Sequence, residues 1–236
     1  AKIASIAQDK GIKVSASISE TKSPEDIKWV LQKLNQDYLG VDFDYVGVNI
    51  YPNDNTISYI SDMRKAFEKE EKAAGKNTQL YISGVKYARQ DDKGNASIYS
   101  QANSLYKSLE AGISENNAGG LVYTGAEDVG SWTSFFDNDG KAVQSLSIFG
   151  LAKGLNVDSD VEAEEKDPYQ YGGETGVKEQ KVDIDEISTM YSSSIRGVDI
   201  SSYTALKKAG VKYYNYEGKE ESLIKILHDN GVNYIR

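Results

Sequence analysis

Carboxylates dominate the groups in this 236-residue sequence that could carry acid–base or nucleophilic chemistry. There are 36 Asp and Glu side chains, one histidine (His228) and no cysteine. The missing cysteines exclude a thiolate metal site, a cysteine nucleophile and a disulfide framework, and a lone histidine excludes a multi-histidine metal centre. The adjacent acids Glu127 and Asp128 follow an apolar run. They can be read as catalysts, but neighbouring loop acids are ordinarily solvated, and solvation is the expectation. His228 falls on the polar side of its helix near the C-terminal end, as a surface or capping residue would.

The elements that must position such groups alternate between two periods. Ile12 to Ile18 alternates as a strand, and Ile27, Val30, Leu31, Leu34 and Tyr38 then share one face of a helix. Ser23-Pro24 is a good helix start, with a capping hydroxyl and a proline in the first turn. Trp29 lies beside the apolar stripe and is expected to pack. Asp44 to Pro52 is an apolar strand, and Ile57, Ile60, Met63 and Phe67 mark a helix closing at Gly75. Gln79 to Val85 and Gly119 to Thr124 are strands on either side of a helix carrying Ile98, Ala102, Leu105 and Leu109. A last helix is expected over Lys141 to Leu151. Strands separated by amphipathic helices imply parallel pairing through right-handed crossovers. Periodicity alone does not choose between half of an eight-fold barrel and a doubly wound sheet.

The formal charge of −9 is unevenly spread. Residues 1–150 hold 20 acids and 16 bases, residues 151–190 hold 11 and 4, and residues 191–236 hold 5 and 7. The middle stretch, with Asp158, Asp160, Glu162, Glu164 and Glu165, has few large apolar residues and reads as a solvated linker. Its glycines do not sit where a calcium loop would need them. After it the pattern restarts, with a strand over Ile195 to Ile200, a helix carrying Leu223, Ile226 and Leu227, and the start of a strand over Val232 to Arg236. The acidic balance argues against a nucleic-acid or anionic-membrane partner. No apolar run approaches the ~20 residues of a membrane span.

The C-terminal stretch resembles the opening of the arabinogalactan endo-β-1,4-galactanases, glycoside hydrolases built on the (β/α)8 barrel. The resembling residues are Arg196-Gly197-Val198-Asp199-Ile200-Ser201-Ser202, Gly210-Val211-Lys212-Tyr213-Tyr214-Asn215, Gly218 to Leu223, and Asn230-Gly231-Val232-Asn233-Tyr234-Ile235-Arg236. Residues 1–150 are similar, more loosely, to the rear of the same fold. Asp44 to Pro52 matches a sixth strand that delivers a Tyr-Pro pair, and Ser134 to Leu146 matches the closing segment. The resemblance implies an α/β fold of the TIM-barrel type, incomplete here at about six βα units. It implies residues 1–150 as strands five to eight of one barrel, 151–190 as linker, and 191–236 as the front of a second. The same order of units is also that of a circular permutant, in which strand one packs beside strand eight.

The family's chemistry is retaining hydrolysis by two carboxylates about 5–5.5 Å apart. The resemblance puts the proton donor after strand four, which is absent from this chain, and the nucleophile at the end of strand seven, where Gly84 stands. The eighth strand of the family carries Tyr-Trp-Glu, whereas this chain reads Tyr123-Thr124-Gly125. No catalytic residue is therefore expected in this segment, and no cofactor or metal. Asp199 and Arg236 match positions lining the glycone side of the cleft, and the resemblance implies substrate binding for both. Tyr51 and Trp132 are further sugar-contact candidates, although packing explains either equally well. The implied partner is β-1,4-galactan or a galacto-oligosaccharide, and the implied parent is a secreted or cell-surface bacterial enzyme. A non-catalytic carbohydrate-binding or structural module beside a catalytic domain is the alternative.

Overall fold

A computed structural model describes residues 6–7, 9–18, 23–35, 43–53, 55–90, 94, 97–157 and 184–236. Most of the acidic stretch, residues 158–183, and the expected helix residue Tyr38 lie outside the described residues. Six strands form one sheet in the order β1-β2-β3-β4-β5-β8, alternating with helices. They are Ser15–Ile18 (β1), Tyr45–Asn49 (β2), Gln79–Val85 (β3), Gly120–Thr124 (β4), Ile195–Asp199 (β5) and Tyr234–Ile235 (β8). The pairs β1–β2, β2–β3 and β5–β8 are parallel. This is an α/β fold consistent with part of a (β/α)8 barrel. A separate antiparallel pair joins β6 (Tyr213–Tyr214) to β7 (Glu220–Glu221).

The chain divides into two compact units. The first comprises Ala1–Val85, Ser108–Leu121 and Thr189–Ile195; the second comprises Lys86–Lys107, Val122–Ser188 and Arg196–Arg236. Strands β4 and β5 each begin in the first unit and end in the second.

In the first unit, helices α1 (Pro24–Asn35) and α2 (Thr56–Ala74) bury Ile27 and Leu31, and Ile60, Met63 and Phe67, as the helical stripes require. Helix α2 stops at Gly75, whose φ of 65° lets its N–H close on the carbonyls of Glu71 and Lys72. Val46, Val48, Leu80 and Ile82 supply the buried sheet positions. Register between β2 and β3 slips by one residue after Val48, which brings Gly84 rather than Ser83 opposite Asn49. Gly120 has φ 94°, and a Cβ there would lie 2.1 Å from the Ile195 carbonyl oxygen, so only glycine permits this approach. Trp29 departs from expectation: it is 62% exposed, one position off the buried stripe, and does not pack in the core.

In the second unit an aromatic chain forms the core. Tyr123 and Phe135 lie 4.3 Å apart, Phe135 meets Phe149 edge-on at 5.8 Å, and Phe136 meets Tyr213 at 4.9 Å. The expected helix over 141–151 is only partly present. Residues Gln144–Ser147 form a 3-10 turn and Ile148–Leu151 a single α-turn, α4. The cause is a long-range partner: the Ala142 N–H donates to the Tyr214 carbonyl at 2.9 Å, which holds residues 141–142 extended. Helix α3 (Ile98–Gly112) precedes β4, and α5 (Tyr203–Lys208) and α6 (Leu223–Asp229) follow β5. Ser222 caps α6 by accepting the Lys225 N–H. His228 stays on the outer face of α6, its side chain 83% exposed.

Candidate functional site

Parallel strands deliver side chains from their C-terminal ends, where barrel enzymes collect their polar groups. Asp199 is the last residue of β5, and Arg236 follows β8 directly. The β5–β8 register sets Val198 opposite Ile235, so the next residues along, Asp199 and Arg236, emerge side by side. The Arg236 guanidinium donates to Asp199 Oδ2 from Nη2 at 2.6 Å and from Nε at 3.0 Å. The other carboxylate oxygen accepts the Ser201 backbone N–H at 3.0 Å and its hydroxyl at 2.5 Å. Burial pushes the Asp199 carboxyl up, but the hydrogen bonds from Ser201 and Arg236 outweigh it and hold the group below the usual range. The result is an ionised carboxylate whose acceptor sites are taken by Ser201 and Arg236, and which orients a half-exposed guanidinium.

The loop after β4 adds a group that sequence reasoning misjudged. Glu127 is not solvated; it is 3% exposed. Its Oε1 accepts the Ser202 N–H at 3.0 Å and lies 2.6 Å from the Ser202 hydroxyl oxygen. That hydroxyl oxygen is also 3.2 Å from Asp128 Oδ1, and its single proton goes to the nearer carboxylate. The Glu127 backbone carbonyl accepts the Tyr213 hydroxyl at 3.0 Å. Burial first, and then the Glu127 charge, push the Tyr213 phenol up. Glu127 thus ties the β4 loop to the segment after β5, and the only sequence signal for Ser202 is its place at the end of the Arg196–Ser202 stretch.

Other candidates are less converged. Trp132 is half-buried in the second unit, and its carbonyl accepts the Arg89 N–H at 2.8 Å. Tyr51 follows β2 in the first unit and is 65% exposed. Gly84 is a buried strand residue whose carbonyl accepts the Ile50 N–H at 2.9 Å, and it brings no side chain. Of the four expected sugar-contact residues, the structure pairs Asp199 with Arg236 directly. Among the described residues no group of three or more His, Asp or Glu is arranged to hold a metal ion, and no helix is long and apolar enough to cross a membrane.

Polar side chains gathered at the C-terminal ends of parallel strands are consistent with part of a (β/α)8 barrel. The segment that delivers Asp199 and Arg236 can be placed more closely. Residues 195–236 match the model of glycosyl hydrolase family 53. Over 53 residues the chain is 38% identical to an endo-beta-1,4-galactanase of Bacillus subtilis (strain 168), an alignment covering 22% of this chain and 12% of that protein. This segment is therefore related to the endo-β-1,4-galactanase family. No solved structure matches the chain.

Proposed function

We propose that this chain is part of a protein that acts on β-1,4-galactan, and that the segment itself binds galacto-oligosaccharide without cleaving it. The observation that carries the binding is the Asp199–Arg236 pair, lying inside the family match at the C-terminal ends of β5 and β8. The Asp199 carboxylate, its oxygens taken up by Ser201 and Arg236, holds the Arg236 guanidinium in place as a hydrogen-bond donor to a sugar hydroxyl. Trp132 offers an apolar face in the same unit. Absence of cleavage is supported by Gly84, which gives the end of β3 no nucleophile.

The proposed organisation keeps residues 1–150 as the rear of a galactanase-like barrel, 151–190 as a linker and 191–236 as the front of a barrel. That Arg196–Arg236 shares a compact unit with residues following β4 favours the arrangement in which strand one lies beside strand eight. The parent is proposed to be a secreted or cell-surface bacterial glycosidase using retaining double displacement in its complete module.

One experiment tests both parts. β-1,4-Galactotetraose is titrated while tryptophan fluorescence is followed in a Trp29→Phe background, so that Trp132 alone reports. A saturable change that Asp199→Ala removes is expected, with no reducing ends released. Turnover above a blank sinks the non-catalytic reading, and an unresponsive Trp132 at millimolar ligand sinks the binding.

A further inference from the structure

Four successive carbonyls around Trp132 each face a donor from outside their own loop. The Ser131 carbonyl accepts from Arg89 Nη2 at 3.1 Å, and the Trp132 carbonyl from the Arg89 backbone N–H at 2.8 Å. The Thr133 carbonyl lies 2.7 Å from the Tyr123 hydroxyl, and the Ser134 carbonyl 3.3 Å from Gln101 Nε2. All these residues belong to the second unit. The loop itself does not supply such order. Gly125 and Gly130, with φ of 70° and 78°, give it two points of backbone freedom on the way from β4.

Gln101 and Tyr123 are the centre of the arrangement. Gln101 on α3 and Tyr123 on β4 are both 0% exposed. Burying an amide or a phenol is unfavourable unless its hydrogen bonds are made, and here most are made to backbone. The Ser145 hydroxyl donates to Gln101 Oε1. That contact turns the amide so that Nε2 faces the Tyr123 hydroxyl and the carbonyls of Tyr87, Thr133 and Ser134. The Tyr123 hydroxyl accepts the Tyr87 N–H at 3.0 Å, and its one proton serves the Tyr87 and Thr133 carbonyls at 2.8 and 2.7 Å. Burial pushes the phenol up, so that proton stays in place.

A pinned backbone fixes the direction of the Trp132 Cα–Cβ bond and narrows the rotamers open to its ring. Trp132 is only half-buried, and an indole ordered before binding loses less freedom when a ligand ring stacks on it. We infer that Gln101 and Tyr123 are positioning residues for the sugar contact at Trp132. Through the carbonyls of residues 133 and 134 they hold the indole in the orientation on which a sugar ring stacks, and neither touches the sugar. This rests on the galacto-oligosaccharide binding proposed above, and names the groups that set the geometry of its aromatic contact.

The test uses the full chain with Trp29→Phe as parent, so that Trp132 is the one tryptophan left. Tyr123→Phe keeps the ring against Phe135 and removes the hydroxyl, and Gln101→Met keeps the length and removes the amide. Ile226→Val, a mild truncation of a buried residue on α6 in the same unit, controls for a general loss of stability. For each, β-1,4-galactotetraose is titrated well below the melting transition and the fluorescence anisotropy decay of Trp132 is recorded. Circular dichroism checks the fold. Tyr123→Phe and Gln101→Met should weaken affinity by about threefold to tenfold, the worth of ordering one side chain, and speed the local motion of the indole. Ile226→Val should change neither. A folded Tyr123→Phe that keeps either the parental affinity or the parental anisotropy decay overturns the inference, and so does an equal loss of affinity in Ile226→Val. If Gln101→Met does not fold, Tyr123→Phe decides alone. A parent that fails to bind defeats the proposed binding and this role together, whereas a binding parent with unaffected variants defeats this inference alone.

Discussion

Glu127 and Ser202 are 75 residues apart in sequence, yet Ser202 gives both its backbone N–H and its hydroxyl to one Glu127 carboxylate oxygen. This contact fastens the loop leaving β4 to the turn leaving β5. It holds a charged group in a place where 3% of the residue is exposed. Hydrogen bonds to a buried charge are worth more than those between neutral groups, because the charge has no solvent to fall back on.

Ser202→Ala removes the hydroxyl and leaves the N–H. Loss of about 1–3 kcal/mol of unfolding free energy is expected, in the range for a hydrogen bond to a charged group. Urea denaturation followed by circular dichroism measures it. An unchanged midpoint would mean that the hydroxyl adds nothing to the hydrogen bond that the Ser202 N–H makes to Glu127 Oε1.

Asp199 gives a pH dependence of definite sign. Its carboxyl is held low in the folded chain despite burial, so its contribution to stability is fully present above the ordinary carboxylate range. That contribution is lost as pH falls through the depressed folded value. Asp199→Asn should therefore flatten the acid limb of a melting-temperature profile and lower the plateau at neutral pH. A parallel downward shift at every pH would contradict it.

Two glycines with left-handed backbones should respond differently to alanine. At Gly75 (φ 65°) a Cβ meets nothing within 4 Å, so Gly75→Ala should cost only the conformational term, about 1–2 kcal/mol. At Gly231 (φ 85°) a Cβ would lie 2.5 Å from the Gly150 Cα, backbone against backbone. Gly231→Ala adds overpacking of about 1–3 kcal/mol to the same conformational term. Paired thermal melts decide whether Gly231→Ala is the more destabilising.

Trp29 should be dispensable for folding. With 62% of it exposed, Trp29→Ala is expected to change stability by no more than about 0.5 kcal/mol. A larger loss in urea titration would show that the indole covers more apolar surface than its position suggests.

Legibility in the sequence followed the range of the forces involved. Helix α2 was readable because Ile60, Met63 and Phe67 mark one face and Gly75 closes it, all within one local segment. Residues 141–151 misled because Ala142 answers to Tyr214, far along the chain, and local apolar spacing carries no trace of that partner. Trp29 misled for a smaller reason, a single helical position, about 100° of rotation, between the buried stripe and solvent. At the site, the types of Asp199 and Arg236 and the motif around them were visible, and the absence of a side chain at Gly84 was plain. The burial of Glu127 was not, because two adjacent acids after a strand look the same whether water or Ser202 solvates them.

The sequence by itself therefore determined the alternation of strand and helix, the relation of its C-terminal segment to a galactan-degrading family, and which chemistries its residues exclude. The first and last follow from residue type and short-range period, and the family relation from the motif around Asp199 and Arg236. Tertiary structure decided which groups meet: Asp199 with Arg236 through parallel register, Glu127 with Ser202 through burial, and Gly231 with Gly150 through close backbone approach. It also divided the chain into two compact units whose boundary crosses β4 and β5, because compactness follows contacts in space.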